Sequence, residues 1–146
     1  MPIKVPKTSK EQRLLDKIER LKTKVKVKKL LPLPRLKEKA QRVFNKWIRE
    51  RDADLPCISC GKTDAKWHCG HYIPLGSSGV LRYNENNCNK QCNHCNMYKS
   101  GNLTEYRISL VKKIGEREVH TLEDLRHELK KWTREELEEI ISKYKL

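Results

Sequence analysis

Aromatic residues are scarce in this chain. Trp, Tyr and Phe together make up 6% of its 146 residues, with a single Phe. Hydrophobic residues reach 36%, no more than the charged ones. That balance argues against a large self-sufficient core and favours a small core stapled by a metal. Long apolar runs are missing too, so no membrane span is expected. The Lys-rich N-terminus lacks the apolar stretch of a secretory signal. The six cysteines are therefore read as reduced and metal-bound in a cytosolic compartment, rather than as disulfides. Glycines are few, and those of Gly76-Ser77-Ser78-Gly79 are wrongly placed for a phosphate-binding P-loop. No internal repeat is visible beyond the paired Cys motifs.

Acidic residues are scarce at one end only. Residues 1–50 hold 17 Lys/Arg against 5 Asp/Glu, a balance of +12, while the rest of the chain balances at +2. A one-signed block of this kind attracts phosphate backbones by releasing condensed counterions. A membrane surface or an acidic protein would also fit, but nucleic acid is the expected partner. Lys22, Lys24, Lys26, Lys28 and Lys29 are the candidate contacts in this arm.

Along the chain, residues 1–10 are Lys/Pro-rich and are expected to be disordered. From Ser9 to about Leu31 the apolar spacing Leu14, Ile18, Leu21, Val25 predicts a basic helix with a narrow stripe. Such a stripe suits packing on a partner helix, and the basic remainder suits DNA. Pro32 and Pro34 should break the chain. A second helix is predicted from Arg35 to about Arg51, with Leu36, Ala40, Val43, Phe44, Trp47 and Ile48 on its core face. Lys66 to Pro74 reads as a strand, Gly76 to Gly79 as a flexible loop, and about Asn93 to Ser100 as a short helix. Leu103 to Ile114 reads as a helix stopped by Gly115. Another should open at Thr121, with Leu122, Leu125 and Leu129 on one side. Thr133-x-x-Glu136 is a capping box for a last helix. The expected division is a basic arm over 1–34, a zinc core over 35–116 and C-terminal helices over 117–146.

Two Cys-x-x-Cys pairs, Cys57/Cys60 and Cys92/Cys95, have the spacing of a structural zinc site fed by two short turns. Spacing alone leaves the fourth ligand open, and His94 or Cys88 could replace a cysteine. Cys69 and Cys88 are otherwise expected as small buried apolar residues. A closed zinc does no chemistry, whereas a catalytic metal needs an open position. His71, Asn87 and Asn96 are the polar residues that a plain zinc ribbon does not need. A strand His, an intervening Asn and a knuckle-following Asn or His, tied by zinc, form the pattern of HNH endonucleases.

Beyond this pattern, the chain resembles the NinG family of lambdoid phages, whose lambda member is also described as a recombination endonuclease. The resemblance is carried by Phe44-Asn45-Lys46-Trp47-Ile48-Arg49-Glu50-Arg51-Asp52 and Leu55-Pro56-Cys57-Ile58-Ser59-Cys60-Gly61. It resumes in Gly70-His71-Tyr72, Leu81-Arg82-Tyr83-Asn84-Glu85 and Lys90-Gln91-Cys92, and ends in Cys95-Asn96, Lys99-Ser100-Gly101-Asn102-Leu103 and Tyr106-Arg107. The N-terminal arm matches only in basic character.

The resemblance implies an α+β fold with a small zinc-stabilised ββα-metal (HNH-like) core flanked by helices. It also implies a phosphodiesterase acting on branched DNA such as D-loops or Holliday junctions. His71 would be the general base. Asn96 would coordinate a catalytic Mg²⁺ or Mn²⁺, and Asn87 would bridge the loop and orient the His. Many HNH sites place an Asp directly before the base, where this chain has Gly70. The other metal ligand is therefore open, with His68 ahead of Asn84 and Glu85. Strand alternation puts positions 68 and 71 on opposite faces unless a bulge sits at Gly70. Arg82, Lys90 and Lys99 are expected to face phosphates. His94 is expected to be an exposed filler or a phosphate contact, and His120 and His127 to be surface residues. Rival readings are a non-catalytic zinc-ribbon nucleic-acid-binding module and a recombination adaptor. The N-terminal helix would serve a homodimer or recombinase contact, in the cytoplasm of a bacterial host.

Overall fold

The computed structural model describes residues 9–26 and 30–146, and for residues 23–26 it describes the backbone alone. Lys28 and Lys29 lie outside the described residues, as do the side chains of Lys24 and Lys26 and most of the stretch expected to be disordered. The chain forms two compact units, one ending at Pro32 and one running Leu33–Leu146. No described helix is long and apolar enough to cross a membrane.

In the first unit, α1 spans Lys10–Lys26. Ser9 starts it, its Oγ accepting from the Gln12 amide at 3.2 Å. Leu14, Leu15, Ile18 and Leu21 are all exposed on this helix.

The second unit opens with α2, Leu33–Arg51. Pro34 does not break the chain as expected. It sits in the first turn of α2, where a missing N–H costs nothing and the ring presets φ. Leu36, Ala40, Phe44 and Ile48, each four residues on, form the buried stripe.

The sheet has two antiparallel strands, β1 (Trp67–His71) and β2 (Cys88–Cys92). β2 carries no β-branched or aromatic residue, and every residue in it is buried. Its register is continuous: Trp67 pairs with Cys92, His68 with Gln91, Cys69 with Lys90, Gly70 with Asn89 and His71 with Cys88. One face carries Cys69 and Cys88 into a core with α2, α5 and Tyr83. The other carries Gly70 and Asn89 toward Tyr106 of α3. The Tyr106 hydroxyl donates to the Gly70 carbonyl at 2.8 Å and receives the Asn89 amide at 3.1 Å. Gly70 is required here, because a Cβ would stand 2.2 Å from Gln91 Oε1.

A π-helical turn, His94–Tyr98, follows β2 and leads to α3 (Leu103–Ile114), which ends at Gly115. The next helix, α4, runs Glu116–Asp124, so the expected start at Thr121 is corrected. Glu116 and Glu118 supply its favourable acidic first turn, and Thr121 lies inside it. α5 (Arg134–Tyr144) opens on the expected Thr133/Glu136 capping box.

The few aromatics are concentrated where α2 meets α5. Phe44 packs edge-on against Tyr83 at 5.7 Å and Tyr144 at 4.9 Å. Trp47 meets Tyr144 at 4.9 Å, and Trp132 meets Tyr83 at 4.8 Å. The Gly76–Gly79 loop is not free as expected. Ser78 is buried and its hydroxyl donates to the Leu125 carbonyl at 2.9 Å. The Gly79 carbonyl receives the Trp132 indole N–H at 3.0 Å. The result is a small mixed α+β domain whose two-stranded sheet has a cysteine cluster at one end.

Candidate metal centre and adjoining cleft

The sulfurs of Cys57, Cys60, Cys92 and Cys95 lie within 4.8 Å of one another. Cys60 Sγ and Cys92 Sγ are 3.7 Å apart. A tetrahedral ion with Zn–S bonds of about 2.3 Å requires sulfurs about 3.8 Å apart, so this edge already has the right length. Local sequence builds the cluster. Gly61 takes φ +72°, a left-handed turn that brings Cys60 back beside Cys57. Cys92 ends β2, and Cys95 lies in the π-helical turn.

Backbone amides point at the sulfurs. The Cys92 amide donates to Cys57 Sγ at 3.2 Å and the Cys95 amide to Cys92 Sγ at 3.4 Å. Burial raises the Cys57 thiol, but the Cys92, Cys60 and Ser59 amides outweigh it and bring it down to about 7. Burial pushes Cys95 up to about 12, and the adjoining thiols add to the rise. Four crowded sulfurs of this kind carry their charge together only around a cation. The cluster could hold a metal such as zinc.

Beside the cluster lies an open cleft of about 310 Å³, lined by Asn45, Cys69, His71, Pro74, Leu75, Asn96, Ser100, Gly101 and Leu103. Two of the three residues singled out from the sequence, His71 and Asn96, thus share one cavity. His71 ends β1, and its Nε2 lies 3.2 Å from the Arg82 carbonyl oxygen. A carbonyl can only accept, so Nε2 carries the proton and Nδ1 the lone pair. Burial pushes the imidazole down to about 4, outweighing the Arg82 carbonyl, and the Arg82 charge adds to the fall. The ring is therefore neutral at pH 7, with one basic nitrogen.

Asn96 follows Cys95 directly, so the cluster sets its position. Its Nδ2 lies 2.9 Å from Nδ1 of His68. The ladder is unbroken at Gly70, so no bulge brings His68 round, and it leaves β1 on the face opposite His71. Of the alternatives to His68, Asn84 Oδ1 accepts the Asn86 and Asn87 amides, and Glu85 binds Lys143 and Tyr144.

Asn87 is fully buried. Its Oδ1 accepts the Ile73 amide at 2.8 Å, and its Nδ2 donates to the Ile73 and Leu81 carbonyls at 3.0 and 3.3 Å. It bridges the 72–87 loop and carries the chain just after His71, with no hydrogen bond to the ring.

The expected phosphate contacts divide. Lys22 and Lys99 are exposed, and Arg82 is partly buried. Lys90 is corrected: it is buried, its Nζ donates to the Ala53 carbonyl at 2.8 Å, and it sits over Trp67 at 4.2 Å. His94 is exposed and stacks on Tyr98.

Sequence reasoning overlooked the polar supports. Gln91 Nε2 donates to Ser59 Oγ at 2.7 Å and to the Gly101 carbonyl at 2.5 Å, tying β2 to the first knuckle and to the cleft wall. Asp52 accepts Arg51 at 2.8 Å, the Lys90 amide at 3.0 Å and Lys113 at 3.2 Å. A buried Gln in a strand gives no periodic signal. The Arg51-Asp52 pair just before the first knuckle is the one legible hint.

A family model described as Bacteriophage Lambda NinG protein matches residues 3–146. The chain belongs to the NinG family. It is similar to "Protein ninG" of Escherichia phage 933W, 46% identical over 126 residues, covering 84% of this chain and 62% of that relative. The "Protein ninG" of Escherichia phage lambda is 46% identical over 124 residues, covering 83% of this chain and 60% of the relative. That of Salmonella phage P22 is 45% identical over 124 residues, with 83% and 61% covered. The chain thus spans less than two thirds of the length of these relatives. No solved structure matches it.

Proposed function

We propose that this NinG-family chain is a metal-dependent DNA endonuclease with an HNH-like ββα-metal core, cutting phosphodiester bonds in branched DNA. The observation that carries this reading is His71, kept neutral by burial, set in a single tautomer by the Arg82 carbonyl, and opening into the cleft that Asn96 also lines. β1, β2 and the turn after them supply the ββα order, and a zinc ion in the cysteine cluster would lock them together. The role of that zinc is structural, since four sulfurs leave no open position.

The cleft also fits a second, harder ion. Asn96, Asn45 and Ser100 offer neutral oxygens, and no carboxylate is among the described residues lining the cleft, so the anionic oxygens that Mg²⁺ or Mn²⁺ prefers would come from the DNA phosphates. Such an ion would be held jointly by Asn96, with His68 behind it, and by phosphate oxygens of the DNA. When bound, it would stabilise charge on the phosphoryl group and the leaving oxygen. His71 Nδ1 takes a proton from the attacking water, which its neutral state allows at pH 7. The Arg82 carbonyl keeps the ring aimed and supports the charge it gains. Asn87 fixes the backbone next to His71, so the base does not drift.

DNA affinity comes from the basic arm, and within the second unit Lys99 and Arg82 lie close to the cleft. Tyr98, 76% exposed two residues after Asn96, offers a stacking surface for an unpaired base at a branch point. The exposed Leu14, Ile18 and Leu21 of α1 suit a second copy or a recombinase. A non-catalytic zinc-ribbon module would account for the cluster and the charge but not for the held His71. Cleavage of linear duplex, single strand, D-loop and four-way junction with Mg²⁺ or Mn²⁺ separates the two. Junction cutting that is lost in His71→Ala supports the nuclease. Tight binding with no cutting in any metal overturns it.

A further inference from the structure

We propose a second, soft-metal site in this chain, formed by Cys69, His71 and Cys88 and distinct from the four-cysteine cluster. Cys69 and His71 stand two apart on one face of β1, and Cys88 is the cross-strand partner of His71. The register therefore brings both sulfurs and a ring nitrogen together, with their ligand atoms within 4.8 Å of one another. Small side-chain shifts close that spacing to the roughly 3.8 Å edge of a tetrahedral thiolate site.

The His71 ring suits the task. Its Nε2 is engaged by the Arg82 carbonyl, so Nδ1 is left to ligate. A carbonyl on the other ring nitrogen is the common support of metal-bound histidine. Cys69 and His71 line the open cleft, which gives an ion its way in and leaves the fourth position to water or a phosphate.

Two thiolates and an imidazole select Zn²⁺ or a similar soft divalent ion over Mg²⁺. On binding, both thiol protons leave to solvent as two metal–sulfur bonds and one metal–nitrogen bond form. Occupancy uses the same Nδ1 lone pair that the nuclease reading gives to the general base. On that reading, excess zinc switches the enzyme off.

The test uses the full chain under a phosphine reductant, first loaded with one equivalent of Zn²⁺ and then titrated with Co²⁺. A thiolate-to-cobalt charge-transfer band saturating at one further equivalent is expected. The band should be lost in Cys69→Ala/Cys88→Val, a pair chosen to keep the core apolar, and weakened and shifted in His71→Ala. A thermal melt confirms that the variants keep their first zinc and their fold. If no second equivalent binds, or the double variant binds it unchanged, the site is overturned.

The second readout is Mg²⁺-supported cleavage. Excess Zn²⁺ should lower the wild-type rate at least tenfold and leave the double variant unaffected. Equal inhibition of both overturns the switch. If no form of the chain cuts DNA, the nuclease reading fails, while the cobalt titration still decides the site.

Discussion

Nε2 of His71 sits 3.2 Å from the carbonyl oxygen of Arg82, eleven residues later in the chain. That bond fixes the tautomer, and burial holds the ring at about 4. His71→Ala should therefore lose cleavage by about 10²–10⁴-fold while keeping the zinc of the four-cysteine cluster and DNA affinity. The expected sign with pH is clear. A histidine depressed from about 6.5 to about 4 stays neutral as pH falls through that window, so cleavage should persist well below pH 6. Over the same window the unfolded chain binds the proton and the folded one does not, so stability falls as pH drops from 6.5 to 4. His71→Asn should flatten that slope. A wild-type activity profile with an acid limb near 6.5 would show that the ring is not held as described.

Asn96 and His68 meet at 2.9 Å, which makes their substitutions informative as a pair. Asn96→Ala should lose most cleavage and regain part of it at high Mn²⁺. His68→Ala should raise the metal requirement if it positions Asn96, with an effect that vanishes in the Asn96→Ala background. Metal titrations of the single and double variants give this coupling. Additive losses would mean that the two residues act independently.

How far the sequence disclosed this arrangement depends on where each residue's partners lie. The α2 stripe, the stop at Gly115 and the Thr133 capping box rest on neighbours within a few positions, and pattern reading finds them. β2 reads Cys-Asn-Lys-Gln-Cys, with no alternation of apolar and polar, because hydrogen bonds and sulfur packing bury it instead. Lys90 looked like a phosphate contact because its acceptor, the Ala53 carbonyl, lies 37 residues away. The Gly76–Gly79 loop looked free for the same reason, its tethers lying 47 and 53 residues on. The His71–Asn96 cleft was legible as two residue types, but the Arg82 carbonyl that selects the tautomer left no trace in the sequence.

Cys92 closes both β2 and the cluster, so metal and fold should be lost together. Cys92→Ser or strong chelation is expected to unfold the sheet region, because binding free energy of a structural zinc is folding free energy. Circular dichroism with zinc quantification checks this. A chain that stays fully folded with no metal would refute it.

Deleting residues 1–31 removes most of the +12 block. The truncated chain should bind DNA more weakly, and its log–log salt slope should flatten by about 0.9 per lost phosphate contact. Per-complex cleavage at saturating DNA should hardly change, since no residue of the cleft is removed. An unchanged salt slope would place the DNA contacts elsewhere.

Gly70 offers the sharpest test of the core geometry. A Cβ there would meet Gln91 Oε1 at 2.2 Å and Gln91 Cβ at 2.9 Å. Gln91 is fully buried and cannot swing away without releasing Ser59 Oγ and the Gly101 carbonyl. Those bonds tie β2 to the first knuckle and to the cleft wall beside Ser100. Gly70→Ala should therefore cost about 1–3 kcal/mol by overpacking and lower cleavage as well, although Gly70 touches no reacting group. The cause can be isolated by a cycle. In a Gln91→Gly background none of these contacts can form, so Gly70→Ala should cost clearly less there than in the wild type. Thermal melts of the four zinc-loaded proteins measure the coupling. An equal cost in both backgrounds would mean that the Gly70 requirement comes from the backbone and not from Gln91.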